Sequence, residues 1–375
     1  MKNKNIVICS NYAWTIYTFR LPLIRELERK GYCIYILTQR DNYTKYVKRE
    51  FKNCFNLYLD RSGFNPFHDI TTCIHIIIYL LLIKPNALLT FTIKPNIYGG
   101  FAARLLGVPH FPNITGLGTT FIGTSKLLRI VKIMYKLALS KSTKVFFQNN
   151  DDSKLFNNLK IVSNTRSIRL PGSGIDLKRY QPSSQIMYHT SNKRFRFLLV
   201  SRMLWDKGIG EYVAAARYII NKYQNVEFCL LGFLGIQNPS AISYQQMNKW
   251  IAEGVVSYLG VSDDVRKELS EANCVVLPSY REGVPRSLLE AASMAIPIIT
   301  SDTVGCRDAI EDGKSGFLTK VKNARDLSKK MELMLNLSPA ERKSMGLHGR
   351  NKMEVEFDQN IVLKMYIKAL EELNV

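Results

Sequence analysis

No two of the seven cysteines (Cys9, Cys33, Cys54, Cys73, Cys229, Cys274 and Cys306) form a C-x-x-C pair, and several lie inside apolar, strand-like runs. That spacing excludes the common zinc and dithiol frameworks and reads as buried thiols in a reducing, cytoplasmic setting. Long apolar runs are also missing. The longest, Cys73 to Ile83, contains His75 and falls short of the roughly 20 residues that cross a bilayer, so a core helix is expected, with shallow membrane contact as the alternative. The opening MKNKNIVICSNY has only a four-residue apolar run, too short for a signal peptide. Scarcest of all is negative charge in the first half. Residues 1–180 hold 27 Lys and Arg against 9 Asp and Glu, whereas residues 181–375 hold 25 against 22. The net charge of +21 is therefore a property of the first half; it would attract nucleic acid, anionic headgroups or a phosphorylated acceptor without choosing among them.

What is present is enough for a large core. A chain of 375 residues, 46% apolar and 22% charged, fits two globular domains better than one. IVICSN, then a helical run ending at Gly31, then YCIYILT make a β-loop-α-β opening, the start of a doubly wound parallel sheet in which ligands bind beyond the carboxyl ends of strands. The first loop, SNYAWTIYTF, lacks the glycine-rich dinucleotide fingerprint. Further on, Gly99 and Gly100 are expected to open or interrupt a helix, and HFPNI reads as a strand before the glycine-rich loop TGLGTTFIG, which begins at Thr115. Lys126, Arg129, Lys132 and Lys136 recur three or four apart and predict a basic helix face opposite Leu, Ile, Val and Met: a solvated face, or one that adsorbs to an anionic membrane. The polar stretch Ser183 to Arg194 reads as the connection between domains, after which the βα alternation restarts.

The second half carries the more specific chemistry. FRFLLVSRMLWDKG is a buried strand running into a loop with Arg202 and Lys207, and residues 274–290 read as strand, charged loop and helix, with Glu282 before the helix and Glu290 within it. Pro285 suits the first turn of that helix, and a glycine-preceded helix start offers free N–H groups and the positive end of the dipole to an anion. With 17 glutamates in the chain, about one pair at this spacing arises by chance, so the context carries the argument. In a parallel sheet both loops would reach the same carboxyl edge. Arg202 and Lys207 would there neutralise a diphosphate while glutamates accept hydrogen bonds from sugar hydroxyls, the equipment for stabilising a leaving nucleoside diphosphate.

The runs VSRMLWDKGI, LPSYREGVPRSLLEA and SDTVGCRDAIEDGKSGFL resemble the C-terminal domain of the retaining family 4 glycosyltransferases of the GT-B type, and PNITGLGTTF with TVGCRD resembles the branch that acts on undecaprenyl-diphosphate-linked sugars in surface polysaccharide synthesis. The fold implied is α/β, two Rossmann-like doubly wound parallel-sheet domains facing a central cleft: residues 1–182 for the acceptor, 183–358 for the nucleotide sugar, and 359–375 as a helix crossing back to the first domain. By the resemblance Arg202 and Lys207 would bind the donor diphosphate, and Glu282 would contact the donor sugar. Gly283, Val284 and Pro285 would carry backbone beside sugar and phosphate, Glu290 would hold the ribose, and the base would lie near Gly232 and Tyr258 to Val261. Arg20 with Thr115, Gly116 and Thr119 would receive the acceptor. Asn11, Tyr12 and Ala13 replace the glycine pair common in the first loop. Thr115-Gly116 stands where many relatives have His-Gly, so His110 is read as structural. The chain has no Asp-x-Asp, in keeping with a family that needs neither metal nor cofactor.

The activity this implies is transfer of a hexose or N-acetylhexosamine, with retention, from a nucleoside-diphosphate sugar (UDP before GDP) to a lipid-diphosphate-linked saccharide. It would take place at the inner face of the cell membrane, held there through the basic first domain. A nucleotide-sugar epimerase of the same architecture is the alternative enzyme. Specific nucleic-acid binding is disfavoured because the basic residues are dispersed among βα units with no recognition module.

Overall fold

The computed structural model describes residues 4–59, 66–117, 126–182 and 194–372. It divides into two compact units, Met1–Ser173 with Asn360–Val375, and Gly174–Gln359. The first unit runs β1 (Lys4–Ser10), α1 (Ala13–Phe19), α2 (Leu21–Arg29), β2 (Tyr32–Thr38), α3 (Thr44–Glu50), β3 (Cys54–Asn56), α4 (Pro66–Ile83), β4 (Ala87–Phe91), α5 (Ile93–Leu106), β5 (His110–Ile114), α6 (Lys126–Leu139), β6 (Val145–Phe147), α7 (Asn150–Asn158) and β7 (Ser167–Arg169). The second runs β8 (Phe195–Val200), α8 (Ile209–Lys222), β9 (Val226–Leu231), α9 (Tyr244–Ala252), β10 (Ser257–Tyr258), α10 (Arg266–Ser270), β11 (Cys274–Leu277), α11 (Arg286–Ser293), β12 (Ile298–Ser301), β13 (Gly316–Thr319), α12 (Ala324–Asn336), α13 (Pro339–Lys352) and a π-helical turn, Met353–Phe357. Helix α14 (Gln359–Glu371) then packs on the first unit.

Both sheets are parallel, in the orders β3-β2-β1-β4-β5-β6-β7 and β10-β9-β8-β11-β12-β13. The strand order reverses beside β1 in one and beside β8 in the other, which makes β1/β4 and β8/β11 the switch points where crevices open at the carboxyl edge. Successive side chains of a strand bury into opposite layers, as a sheet covered on both faces requires. Ile6 and Ile8 of β1 pack with α1, α2 and α14, while Val7 and Cys9 pack with α4 to α7. Likewise Phe197 and Leu199 of β8 face α8, α9 and α12, and Leu198 faces α10 and α11. All seven cysteines are free thiols; five are buried, and burial pushes Cys9 up to about 12 and Cys229 up to about 11.

Three expectations change. The glycine pair neither opens nor interrupts a helix: Gly99 and Gly100 lie inside α5, where a Cβ would come within 2.8 Å of Thr90 and 2.7 Å of the Ala138 carbonyl, so their smallness lets α5 approach β4 and α6. The single helix read after the first loop is two, divided at Arg20. Helix α13 was not anticipated, although Ser338 and Glu341 form a reciprocal capping box at its start. The connection read at 183–194 lies, but for Arg194, outside the described residues. Where the chain enters and leaves the second unit it is pinned to itself, Ile175 donating its N–H to Phe357 O at 2.8 Å and accepting from Gln359 at 3.0 Å.

Candidate functional site

In the second unit, the loops after β8, β11 and β12 lock together at the carboxyl edge of the sheet. Beyond Val200 the chain passes Ser201 and Arg202, makes a 3₁₀ turn over Trp205–Lys207, and enters α8 through Gly208 at φ 73. A Cβ on Gly208 would stand 2.0 Å from the Pro278 carbonyl oxygen, so only glycine lets the loop after β8 lie this close to the loop after β11. The contact is reinforced by a hydrogen bond from Tyr280 N–H to Asp206 O at 2.9 Å. The loop after β12 joins through Glu282 N–H donating to Val304 O at 3.1 Å and through Gly305, whose Cβ would sit 2.2 Å from Gly283 O.

This bracing brings two of the sequence-derived residues into direct contact. Lys207 Nζ donates to Glu282 Oε1 at 2.5 Å, and Ser279 Oγ donates to the same oxygen at 2.9 Å. Their side chains are only 12% and 16% exposed, so the pair sits in a partly desolvated setting in which leaving either charge alone is costly. Arg202 is exposed on the same loop as Lys207, with no ion-pair partner among the described residues.

Helix α11 opens on Pro285, φ −71 and ψ 117, with no side-chain cap, and Gly283, Val284 and Pro285 are buried beneath it. Within its first turn Leu288 donates its N–H to Pro285 O at 3.1 Å, and the positive end of the helix dipole lies at Arg286 and Ser287. One turn in, Glu290 Oε1 accepts from Tyr180 Oη and from Arg286 Nε, both at 2.9 Å. Tyr180 is buried, and desolvation together with the Glu290 charge pushes its phenol above the ordinary range, so it stays a donor. Its backbone carbonyl is held in turn by Arg350 of α13 at 2.6 Å. Gly232 follows β9 at φ 140, a Cβ there falling 1.8 Å from Ser201 O, and its carbonyl accepts from Tyr258 Oη at 2.8 Å. Val261, half exposed, lies just beyond the end of β10.

The carboxyl edge of the first sheet is built differently. Arg20, between α1 and α2, is 3% exposed, its guanidinium 4.1 Å from the centre of the Phe91 ring at the end of β4. Thr115 and Gly116 follow β5 and are half buried; Thr119 lies outside the described residues. Thr92, after β4, takes φ 75, an uncommon and costly conformation for a β-branched residue. Ser10 Oγ and Asn113 Oδ1, both fully buried near the ends of β1 and β5, have no hydrogen-bond partner among the described residues. His110 stands at the opposite, amino end of β5. Thr90 Oγ1 gives its proton to Asn96, so it accepts from His110 Nε2–H at 2.9 Å, while Nδ1 accepts from Ser142 Oγ at 2.9 Å. Burial holds this neutral ring down to about 3.

Among the described residues no cluster of His, Cys, Asp or Glu has the geometry to hold a metal, and no helix is long and apolar enough to cross a membrane. Sequence reasoning missed Ser279, Arg286 and Tyr180. The four-residue step from Arg286 to Glu290 was a legible signal on a helix, but Tyr180, 110 positions away, left none.

Comparison with known proteins agrees with this arrangement. Residues 187–352 match the family of glycosyl transferases group 1, and residues 6–149 match the glycosyl transferase 4-like family. The chain belongs to these glycosyltransferases, one family model on each half. It is 28% identical over 382 residues, 97% of both chains, to the N,N'-diacetylbacillosaminyl-diphospho-undecaprenol alpha-1,3-N-acetylgalactosaminyltransferase of Campylobacter jejuni. It is also 28% identical over 245 residues, 62% of each, to the UDP-Gal:alpha-D-GlcNAc-diphosphoundecaprenol alpha-1,3-galactosyltransferase of Escherichia coli. Among solved structures, Anabaena HepE in complex with UDP and glucose superposes with a TM-score of 0.80 at 15% identity, covering 99% of this chain and 100% of that one. Sucrose-phosphate synthase from Thermosynechococcus elongatus gives 0.79 at 16%, covering 99% of both. The fold is thus GT-B, and the enzyme is a glycosyltransferase; the matches are to transferases and give the epimerase alternative no support.

Proposed function

We propose that the protein moves a hexose or N-acetylhexosamine from a nucleoside-diphosphate sugar, UDP before GDP, to a saccharide carried on a lipid diphosphate, with retention of anomeric configuration and without a metal. The observation that carries the donor half is the part-buried Lys207–Glu282 contact at the β8/β11 switch point, with Arg202 exposed on the same loop. Lys207 and Arg202 supply two cations for a diphosphate, and the start of α11, beside Gly283 to Pro285, adds the positive end of its dipole. Glu282 then accepts from a hydroxyl of the transferred sugar and Glu290 from the ribose, with the base near Gly232, Tyr258 and Val261. As the bond from the anomeric carbon to the β-phosphate oxygen breaks, the acceptor hydroxyl oxygen bonds to that carbon on the same face. Its proton passes to the departing diphosphate, whose charge the cations and the helix start stabilise.

The acceptor half is assigned to the first unit, to Arg20, Thr115, Gly116 and Thr119 near the ends of β4 and β5. The strained Thr92 and the unsatisfied Ser10 and Asn113 support a polar ligand at that edge. Relatives named for undecaprenyl-diphosphate acceptors support the lipid-linked class. The basic first half supports attachment at the inner membrane surface. The test is a panel of nucleotide sugars against lipid-diphosphate saccharides with products read by mass spectrometry, repeated for Glu282→Ala and Glu290→Ala. Transfer that is undiminished in both variants overturns the donor assignment.

A further inference from the structure

The helices on one side of the first sheet are only half used by the core. In α4 the residues Ile76 and Leu80 are buried, but Phe67, Ile70, Ile74, Ile78, Leu81 and Leu82 are between 46% and 81% exposed. At 3.6 residues per turn these six fall within about a third of the helix circumference, so they form a ridge. A helix whose only task is to cover a sheet presents polar residues on that side. Helix α5 packs between α4 and α6. On α6 the outward side carries Ile130, Ile133 and Leu137, each about half exposed, beside Arg129 and Lys136. The basic residues therefore do not stand opposite the apolar ones, as the sequence suggested; they flank a second apolar ridge. Scattered exposed leucines need no explanation, but two ridges on one helical layer do.

Charge chooses the occupant. From residue 66 to residue 144 the chain has nine Lys or Arg and a single acid, Asp69. That acid is already paired, Lys94 Nζ lying 2.8 Å from Asp69 Oδ1 where α4 and α5 begin. An α4 ridge with no charge on its helix beyond the paired Asp69, together with an α6 ridge flanked by cations, matches a surface that is apolar inside and anionic at its headgroups. A second copy of the chain would set cation against cation, and an acidic protein would leave the ridge of α4 uncovered. Both helices enter from the carboxyl edge of the sheet, so the ridges start beside the loops assigned to the acceptor.

We propose that the outer faces of α4 and α6 are the surface by which the first unit docks on an anionic lipid bilayer, the α4 ridge entering the interfacial layer and Arg129, Lys132 and Lys136 meeting headgroup phosphates. This deepens the membrane attachment proposed above, and its test separates the two. The full chain is co-sedimented with vesicles of equal parts phosphatidylglycerol and phosphatidylcholine, and with vesicles of phosphatidylcholine alone. The parent binds the first and binds the second weakly. Ile74→Gln with Ile78→Gln lowers binding to anionic vesicles about a hundredfold at low and at high salt alike, since each isoleucine withheld from the apolar phase is worth roughly tenfold. Arg129→Glu with Lys136→Glu lowers it at low salt and much less at high salt, where headgroup attraction is screened. Unchanged melting temperatures show that both variants fold. Vesicle binding by both variants equal to the parent's, or no binding by the parent, overturns the proposal. So does a parent dimer in light scattering that Ile74→Gln dissolves, which would make the face an interface between copies. Transfer to a water-soluble, short-chain acceptor stays at the parent's rate in these variants. Failure of the parent to transfer to any acceptor overturns the proposed activity and leaves the vesicle result standing.

Discussion

The two carboxyl edges offer opposite solutions to holding charge. In the second unit cation and carboxylate meet directly, Lys207 on Glu282 within loops whose backbones nearly touch, and Arg286 on Glu290 along helix α11. In the first unit the cation Arg20 is withdrawn onto an aromatic face, and what stands at the edge is strain and unsatisfied oxygen. A ligand reaching the second edge competes with a carboxylate already in place. One reaching the first edge supplies hydrogen bonds that are missing. Donor affinity should therefore respond to charge removal, and acceptor affinity to the shape and polarity of the loop ends.

Several measurements would break or sharpen this contrast. The largest effect is expected for Glu282→Ala, which removes the proposed sugar contact and leaves Lys207 in a partly buried site without its partner: kcat/KM falls at least about a hundredfold, as for loss of one strong transition-state contact. A fall of less than about threefold would detach the pair from the chemistry. Next, Gly208→Ala pushes a methyl into the Pro278 carbonyl at φ 73 and destabilises the second unit by about 2–3 kcal/mol. Gly31→Ala, at φ 87 but with nothing within 4 Å, costs only about 1 kcal/mol. Chemical denaturation of the two variants reads the difference, and equal losses would mean the loops are not braced. Tyr180→Phe removes one of two donors to Glu290 and should raise the donor KM about three- to tenfold with kcat nearly unchanged. A change confined to kcat would contradict a role in ribose binding. Arg20→Met keeps the packing on Phe91 and removes the charge, so it should raise the acceptor KM a few-fold and leave the donor KM alone; the reverse pattern erases the contrast.

The smallest effect at neutral pH comes from His110, whose native ring stays neutral down to about 3. Its folded pKa lies below the unfolded value of about 6.5, so the contribution is fully present above pH 6.5. As pH falls towards 3 the unfolded chain takes up a proton that the native chain does not, and stability declines by the slope of one proton. His110→Gln should flatten that part of the stability profile, measured by denaturant titration, without changing transfer at neutral pH.

What could be read from the sequence divides along the same line. Arg202, Lys207, Glu282 and Glu290 lie close to strand ends whose apolar runs are unmistakable, and a parallel sheet brings such ends to one edge whatever the details between them. Nothing local marks Tyr180 as the partner of Glu290, because the contact depends on Arg350 of α13 holding its backbone. Gly99 and Gly100 were misread because glycine's low helix propensity was weighed without the close neighbours that require it. The apolar ridge of α4 was hidden inside a run that looked uniformly suited to a core; only the positions of its neighbours reveal which side remains uncovered.

The return of α14 to the first unit has a consequence in time. Val362, Tyr366 and Leu370 complete the layer that Ile6 and Ile8 begin, and Tyr366 supplies the hydroxyl that Asn113 reaches. During synthesis at about 5–20 residues per second, the closing helix emerges roughly ten to forty seconds after residue 173. The half of the chain made first is thus the half finished last, and until then one face of its sheet stays open to whatever else in the cell binds apolar surface.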